Sequence, residues 1–118
     1  MSRRMTARLL GDLLCEIHRI ESYRDGHGRV SFARDGLRRD ATERCLERII
    51  TIATAIRTLD PVAHAELRQS LVLSGHLDLR RSVARMDSDV LWRLVDSCRE
   101  ELQERVLSAA RLVKRVTP

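Results

Sequence analysis

A chain of 118 residues with 43% hydrophobic and 33% charged residues has room for one folded domain and one core. It is too apolar to stay disordered, and no stretch approaches the roughly 20 apolar residues that a membrane-spanning helix requires. The net charge of +5 comes from 22 basic residues, all arginine except Lys114, against 17 acidic ones, and such an excess permits contact with nucleic acid or an acidic protein surface without demonstrating either.

The arginine bias has two readings, a GC-rich coding sequence or selection at a site, and composition carries both. With Tyr23, Phe32 and Trp92 the only aromatics, the core must be built from Leu, Ile, Val and Ala. Few Gly and Pro, and many Ala, Leu, Arg and Glu, point to an all-α protein.

The first predicted helix runs from about Thr6 to Tyr23. Met5, Leu9, Leu10, Leu13, Leu14, Ile17 and Ile20 recur at three- and four-residue steps and form one apolar stripe. Arg8, Asp12, Glu16 and Arg19 fall outside it. Asp12 and Glu16 also interrupt any apolar run that could serve as a secretory signal, so the expectation is a cytoplasmic protein. Residues Arg24 to Arg29 include two glycines and read as a loop, after which Val30 and Phe32 are expected to pack back onto the bundle.

The second helix spans about Gly36 to Leu59, with Leu37, Ala41, Cys45, Leu46, Ile49, Ile52, Ala53, Ile56 and Leu59 on a wide stripe. Ile49 and Ile50, with Ile52 and Ile56, supply more β-branched surface than one internal face needs, which suggests a homodimer. Asp60 is placed to cap a third helix, about Val62 to Leu73, with Pro61 at its first position. A fourth helical segment, Leu77 to Met86, carries the basic run Arg80, Arg81, Ser82, Val83, Ala84, Arg85. Asp87, Ser88 and Asp89 supply capping oxygens to a last helix. Its stripe is Leu91, Leu94, Val95, Cys98, Leu102, Val106, Ala109, Leu112 and Val113, and Arg111, Lys114 and Arg115 complement the dipole at its end. Together these elements predict an antiparallel four-helix-type bundle with a short extra helix, one domain over residues 1–118.

The chemistry visible in the sequence is limited. His18, His27, His64 and His76 are scattered, no metal-ligand spacing occurs, and neither a phosphate-binding Gly loop nor a nucleophile elbow is present. No metal or other cofactor is expected. His18 reads as a surface residue and His27 as a solvated loop residue. Cys15, Cys45 and Cys98 are odd in number, lie far apart and fall in helical patterns, so they read as small core residues of a reducing compartment. The segment with the most chemical potential is Arg80, Arg81 and Arg85. Arg81 and Arg85 are four apart and share a helix face, and guanidinium groups grip phosphate in bidentate fashion. The alternative is a solvated face paired with Asp78, Asp87 and Asp89.

The order of elements resembles the HepT-like branch of the HEPN superfamily, small helical proteins paired with minimal nucleotidyltransferases in prokaryotic toxin–antitoxin modules. Leu10-Gly11-Asp12-Leu13-Leu14 through Ile20-Glu21-Ser22-Tyr23 is similar to that family's first-helix pattern LxDILxxIxxIExY. Asp40-Ala41 through Arg44, Leu46, Glu47 and Ile49 resembles xDAxxRxLExI, Arg80 to Arg85 sits where the family has xRNxLxH, and Asp89 to Trp92 resembles its following helix start.

In active members, the resemblance implies, the Arg and His of that motif form a metal-independent ribonuclease site at a dimer interface. Here Arg80 holds the Arg position, Arg81 replaces the Asn, and Arg85 stands where the His would be. Asp87 occupies the place of a Tyr that the partner modifies with AMP in some members, and the loop before Trp92 is shorter than the family's. A guanidinium cannot shuttle a proton near neutral pH as an imidazole does. Arg68 and His76 are too widely spaced to substitute, and Gly75 intervenes. The resemblance therefore implies a non-catalytic binding or regulatory protein with a nucleotidyltransferase-like partner. The alternatives are an RNase of the same family using Arg80, or a nucleic-acid-binding module in which Arg80, Arg81 and Arg85 contact RNA.

Overall fold

The computed structural model describes residues 2–74 and 87–115, and every regular element among them is helical. The protein is an all-α bundle. α1 covers Ser2–Arg24, α2 Arg29–Arg34, α3 Gly36–Leu59 and α4 Pro61–Leu67, followed by a 3-10 turn at Leu71–Leu73. Then come α5 at Ser88–Ser97, a π-helical turn at Cys98–Leu102 and α6 at Gln103–Arg115, which run on without a break. The expected helix from Leu77 to Met86 lies outside the described residues.

Helix starts follow side-chain chemistry. Asp35 accepts the Arg38 backbone N–H at 3.1 Å, Asp60 accepts that of Ala63 at 3.0 Å, and Asp87 accepts those of Asp89 and Val90 at 2.7 and 3.4 Å. Each satisfies N–H groups that a first helical turn cannot pair internally. Asp87→Ala is expected to cost about 1 kcal/mol, read as a lower melting temperature with an unchanged helical spectrum below the transition.

Several positions differ from the periodic reading. α4 ends at Leu67 instead of continuing to Leu73. There the chain tightens into three-residue hydrogen bonds, Gln69 N–H to Glu66 and Ser70 N–H to Leu67, and the buried Ser70 hydroxyl also donates to the Leu67 carbonyl at 2.9 Å. Val30 is 62% exposed while Phe32 is fully buried. α2 is a helix, so residues two apart point to nearly opposite sides and cannot both reach the core. Met5, Leu37 and Leu59 are also exposed, near the ends of α1 and α3, and Thr6 is buried in Met5's stead. Cys45 and Cys98 are buried as expected, but Cys15 lies on the exposed face of α1.

The π turn has its own logic. Cys98, Leu102 and Val106 are all buried and recur at strict four-residue steps. On a regular helix of 3.6 residues per turn such steps drift around the axis. The wider turn at Cys98–Leu102 absorbs that drift and keeps the three side chains pointing inward.

One contiguous core takes side chains from every described helix: Leu10, Leu13, Ile17 and Ile20 of α1, Phe32, Cys45, Leu46, Ile49 and Ile56 of α3, Ala63 and Leu67, Val72, and the stripe from Leu91 to Val113. α1 and α3 form the most extensive pair and are antiparallel across the α2 corner. The last rod starts at that corner, where Trp92 meets Phe32 and Arg29 meets Asp89, and runs back along α1 to pack on α4. Ile50 and Ile52, which suggested surplus surface, are half-buried against this same core. The α3 stripe is wide because α3 packs against α1, α2 and α4.

Candidate functional site: the α1–α2 corner

The arginines singled out in the sequence, Arg80, Arg81 and Arg85, lie outside the described residues, as does His76. Both flanks of that segment are described. Upstream, the 3-10 turn is tied to the π turn: Glu101 accepts the Leu71 backbone N–H at 3.2 Å and the Ser97 hydroxyl at 2.6 Å. Downstream, Asp87 caps α5, and Asp89 lies 3.6 Å from Arg29. Two of the three acids expected to neutralise the arginine run thus have other partners.

Among the described residues the main concentration of polar chemistry is a hollow of about 570 Å³ at the end of α1, lined by His18, Glu21, Ser22, Arg24, Asp25, Gly26, His27 and Arg99. Helical geometry explains most of this. His18, Glu21 and Ser22, and Asp25 follow one another at three- and four-residue steps and share one face of α1 as it runs out. Gly26 then takes φ +75°, a left-handed conformation that suits glycine, and the turn brings His27 back beside that face. His27 Nδ1 is hydrogen-bonded to the Ser31 hydroxyl, which leaves Nε2 for a ligand. Arg99 enters from the π turn.

The wall behind the hollow is rigid. The Arg24 guanidinium sits 4.0 Å from the centre of the Trp92 ring and is ion-paired with Asp96. Trp92 in turn packs at a tilt on Phe32, with ring centres 5.4 Å apart. From α3, Arg38 donates to the Tyr23 carbonyl at 2.8 Å and holds the end of α1 in place. His18, Glu21, Asp25 and Arg99 make no ion pair among the described residues. Sequence reading placed His18 and His27 at the surface but did not join them. The signal available was the shared face of residues 18, 21, 22 and 25; nothing local pointed to Arg99.

A second polar cluster is interior. Glu16, expected outside the apolar stripe, is only 4% exposed. Its carboxylate accepts from Arg48 Nε at 2.7 and 3.1 Å and from Arg19 at 2.7 Å. Arg48 also donates to the Cys45 sulfur at 3.2 Å. The bond to Glu16 pushes the Arg48 pKa further up, while burial, with Glu16 nearby, raises that of Cys45. Burial pushes Cys98, close to Cys45, up to about 12. Both thiols are therefore protonated and poor nucleophiles or metal ligands. No group of three or more His, Cys, Asp or Glu among the described residues is placed to hold a metal ion, and none of the described helices is long and apolar enough to cross a membrane.

Compared with protein-family models, characterised proteins and solved structures, the chain matches none.

Proposed function

We propose that this chain is a HEPN/HepT-like helical scaffold that has lost ribonuclease chemistry and works as a binding or regulatory partner, paired as a homodimer, of a minimal nucleotidyltransferase in a toxin–antitoxin-type module. The observation that carries the reading is Arg85. It occupies the position at which the family resemblance requires an imidazole, and a permanently charged guanidinium cannot take a proton from a ribose hydroxyl near neutral pH. An all-α bundle with one core supports the reading at the level of fold. The basic character of Arg80, Arg81 and Arg85 suits either an acidic face on the partner or RNA.

Two measurements test it. Labelled RNA incubated with the purified chain is expected to stay intact. Degradation that disappears in Arg80→Ala would identify an RNase and overturn the scaffold reading. Co-expression with the product of an adjacent nucleotidyltransferase-type reading frame is expected to yield a complex that survives high salt. Failure to form one removes the partner. RNA binding that weakens steeply with salt and is lost in an Arg80, Arg81, Arg85 triple alanine variant would replace it with a phosphate-binding module.

A further inference from the structure

The geometry of the α1–α2 corner points to a binding site for a phosphate group that still carries a proton, either inorganic phosphate or the end of a phosphomonoester, held by His18, His27 and Arg99 as donors and by Glu21 and Asp25 as acceptors. It is independent of the partner reading above, because none of these residues belongs to the Arg80–Arg85 segment.

The first argument is the composition of the hollow. Its charged lining divides into fixed and uncommitted groups. Arg24 is fixed: its charge is matched by Asp96 and its position set by Trp92. Among the described residues, Arg99, Glu21, Asp25 and the two imidazoles have no ion-pair partner, and His27 Nδ1 is bonded to the Ser31 hydroxyl. A site for a fully ionised oxyanion has no use for two carboxylates, which would repel it. A site for a cation has no use for a guanidinium and two imidazoles. The mixture suits a ligand that accepts and donates at once.

Protonated phosphate is such a ligand. Its unprotonated oxygens accept hydrogen bonds from guanidinium and imidazole, and its P–OH donates to a carboxylate. Sulfate has the same size and shape but no proton to give near neutral pH, so against Glu21 and Asp25 it meets repulsion where phosphate makes a hydrogen bond. A phosphodiester in a nucleic-acid backbone also lacks the proton, which separates this site from backbone binding by arginines. Mildly acidic conditions favour occupancy, because phosphate then keeps the proton that the carboxylates read. The other charged groups around the two imidazoles are Glu21, Asp25, Arg24 with its Asp96, and Arg99 on the side of the hollow, and Arg34, Asp35 and Asp40 on the far side of His27.

The hollow opens to solvent and Gly26 leaves space at the turn, with nothing within 4 Å of where its side chain would begin. His18, Asp25 and Arg99 are exposed, and Glu21 and His27 are only half-buried. Substitutions there leave the core intact.

The test is calorimetric titration of the whole chain at mildly acidic pH with inorganic phosphate, methyl phosphate and sulfate at matched ionic strength, while the imidazole ring signals of His18 and His27 are followed by NMR. Phosphate is expected to bind at least about tenfold more tightly than sulfate, roughly the ratio that one hydrogen bond to a charged group supplies, and to shift both rings. Methyl phosphate binding as well as phosphate identifies a phosphomonoester site; binding of inorganic phosphate alone identifies a site for the free ion. The Glu21→Gln, Asp25→Asn double variant is expected to lose the discrimination, with sulfate binding rising to the level of phosphate. Arg99→Ala with His18→Gln is expected to abolish binding of both. Equal binding of phosphate and sulfate to the unaltered chain, no binding of either, or binding that leaves both rings unshifted overturns the inference.

Discussion

Phe32→Ala is expected to lower the unfolding free energy by about 3–5 kcal/mol, a large share of the roughly 5–15 kcal/mol that holds a domain of this size together. Phe32 is fully buried although its helix is only six residues long. A helix that short has no stability of its own and exists because one side chain anchors it. The anchor is also the platform for Trp92, on which the Arg24 guanidinium rests. Truncation therefore empties the pocket between α2, α3 and α5 and unseats the rigid wall of the corner hollow. Urea denaturation should show a lower midpoint at unchanged slope, and the melting temperature should fall by roughly 10–20 °C. Val30→Ala, two residues away and mostly exposed, should stay within about 0.5 kcal/mol of the parent. Equal costs for the two variants would show that α2 is not anchored through Phe32.

The second large effect is electrostatic. Arg48→Met removes the principal partner of a carboxylate that is almost wholly out of solvent, leaving Arg19 as the ion-pair partner of Glu16 among the described residues. Stranding a buried charge is costly, and allowing for the remaining arginine and for the half-exposed position of Arg48, the loss should be about 2–3 kcal/mol. Glu16→Leu should cost less than Arg48→Met, since both arginines can turn to water. The Glu16→Leu, Arg48→Met double variant should recover most of the loss. A double variant no more stable than Arg48→Met alone would show that the cost lay in the packing of the Arg48 stem and not in the charge.

These two sites mark the limits of periodic reading. Phe32 was recognisable as a residue that packs back, since an aromatic after a Gly-rich loop has little else to do. That α2 is a helix, and that Val30 therefore faces water, could not be read from six residues, which hold too few turns to establish a period. Glu16 was misplaced because the buried face of α1 is wider than its apolar residues indicate: Glu16 falls on its margin, where Arg48 arrives from α3. Cys15 was misplaced for the converse reason, an apolar residue type on a face that no described element covers. The corner hollow was legible only in part, because His18, Glu21 and Asp25 share a helix face by arithmetic, whereas Arg99 joins them through the packing of the last rod on α1.

What the linear order of residues determined by itself is the all-α class, the three long apolar stripes, and the caps at Asp60 and Asp87. These are short-range consequences of 3.6-residue periodicity and of carboxylates meeting unpaired N–H groups within one turn. Only the tertiary structure decided which charged side chains are buried, where α4 stops, how the π turn keeps Cys98, Leu102 and Val106 on one line, and which polar groups share the corner. Those outcomes depend on the distance between elements remote in sequence, set by how the rods pack against one another, and no local pattern encodes that distance.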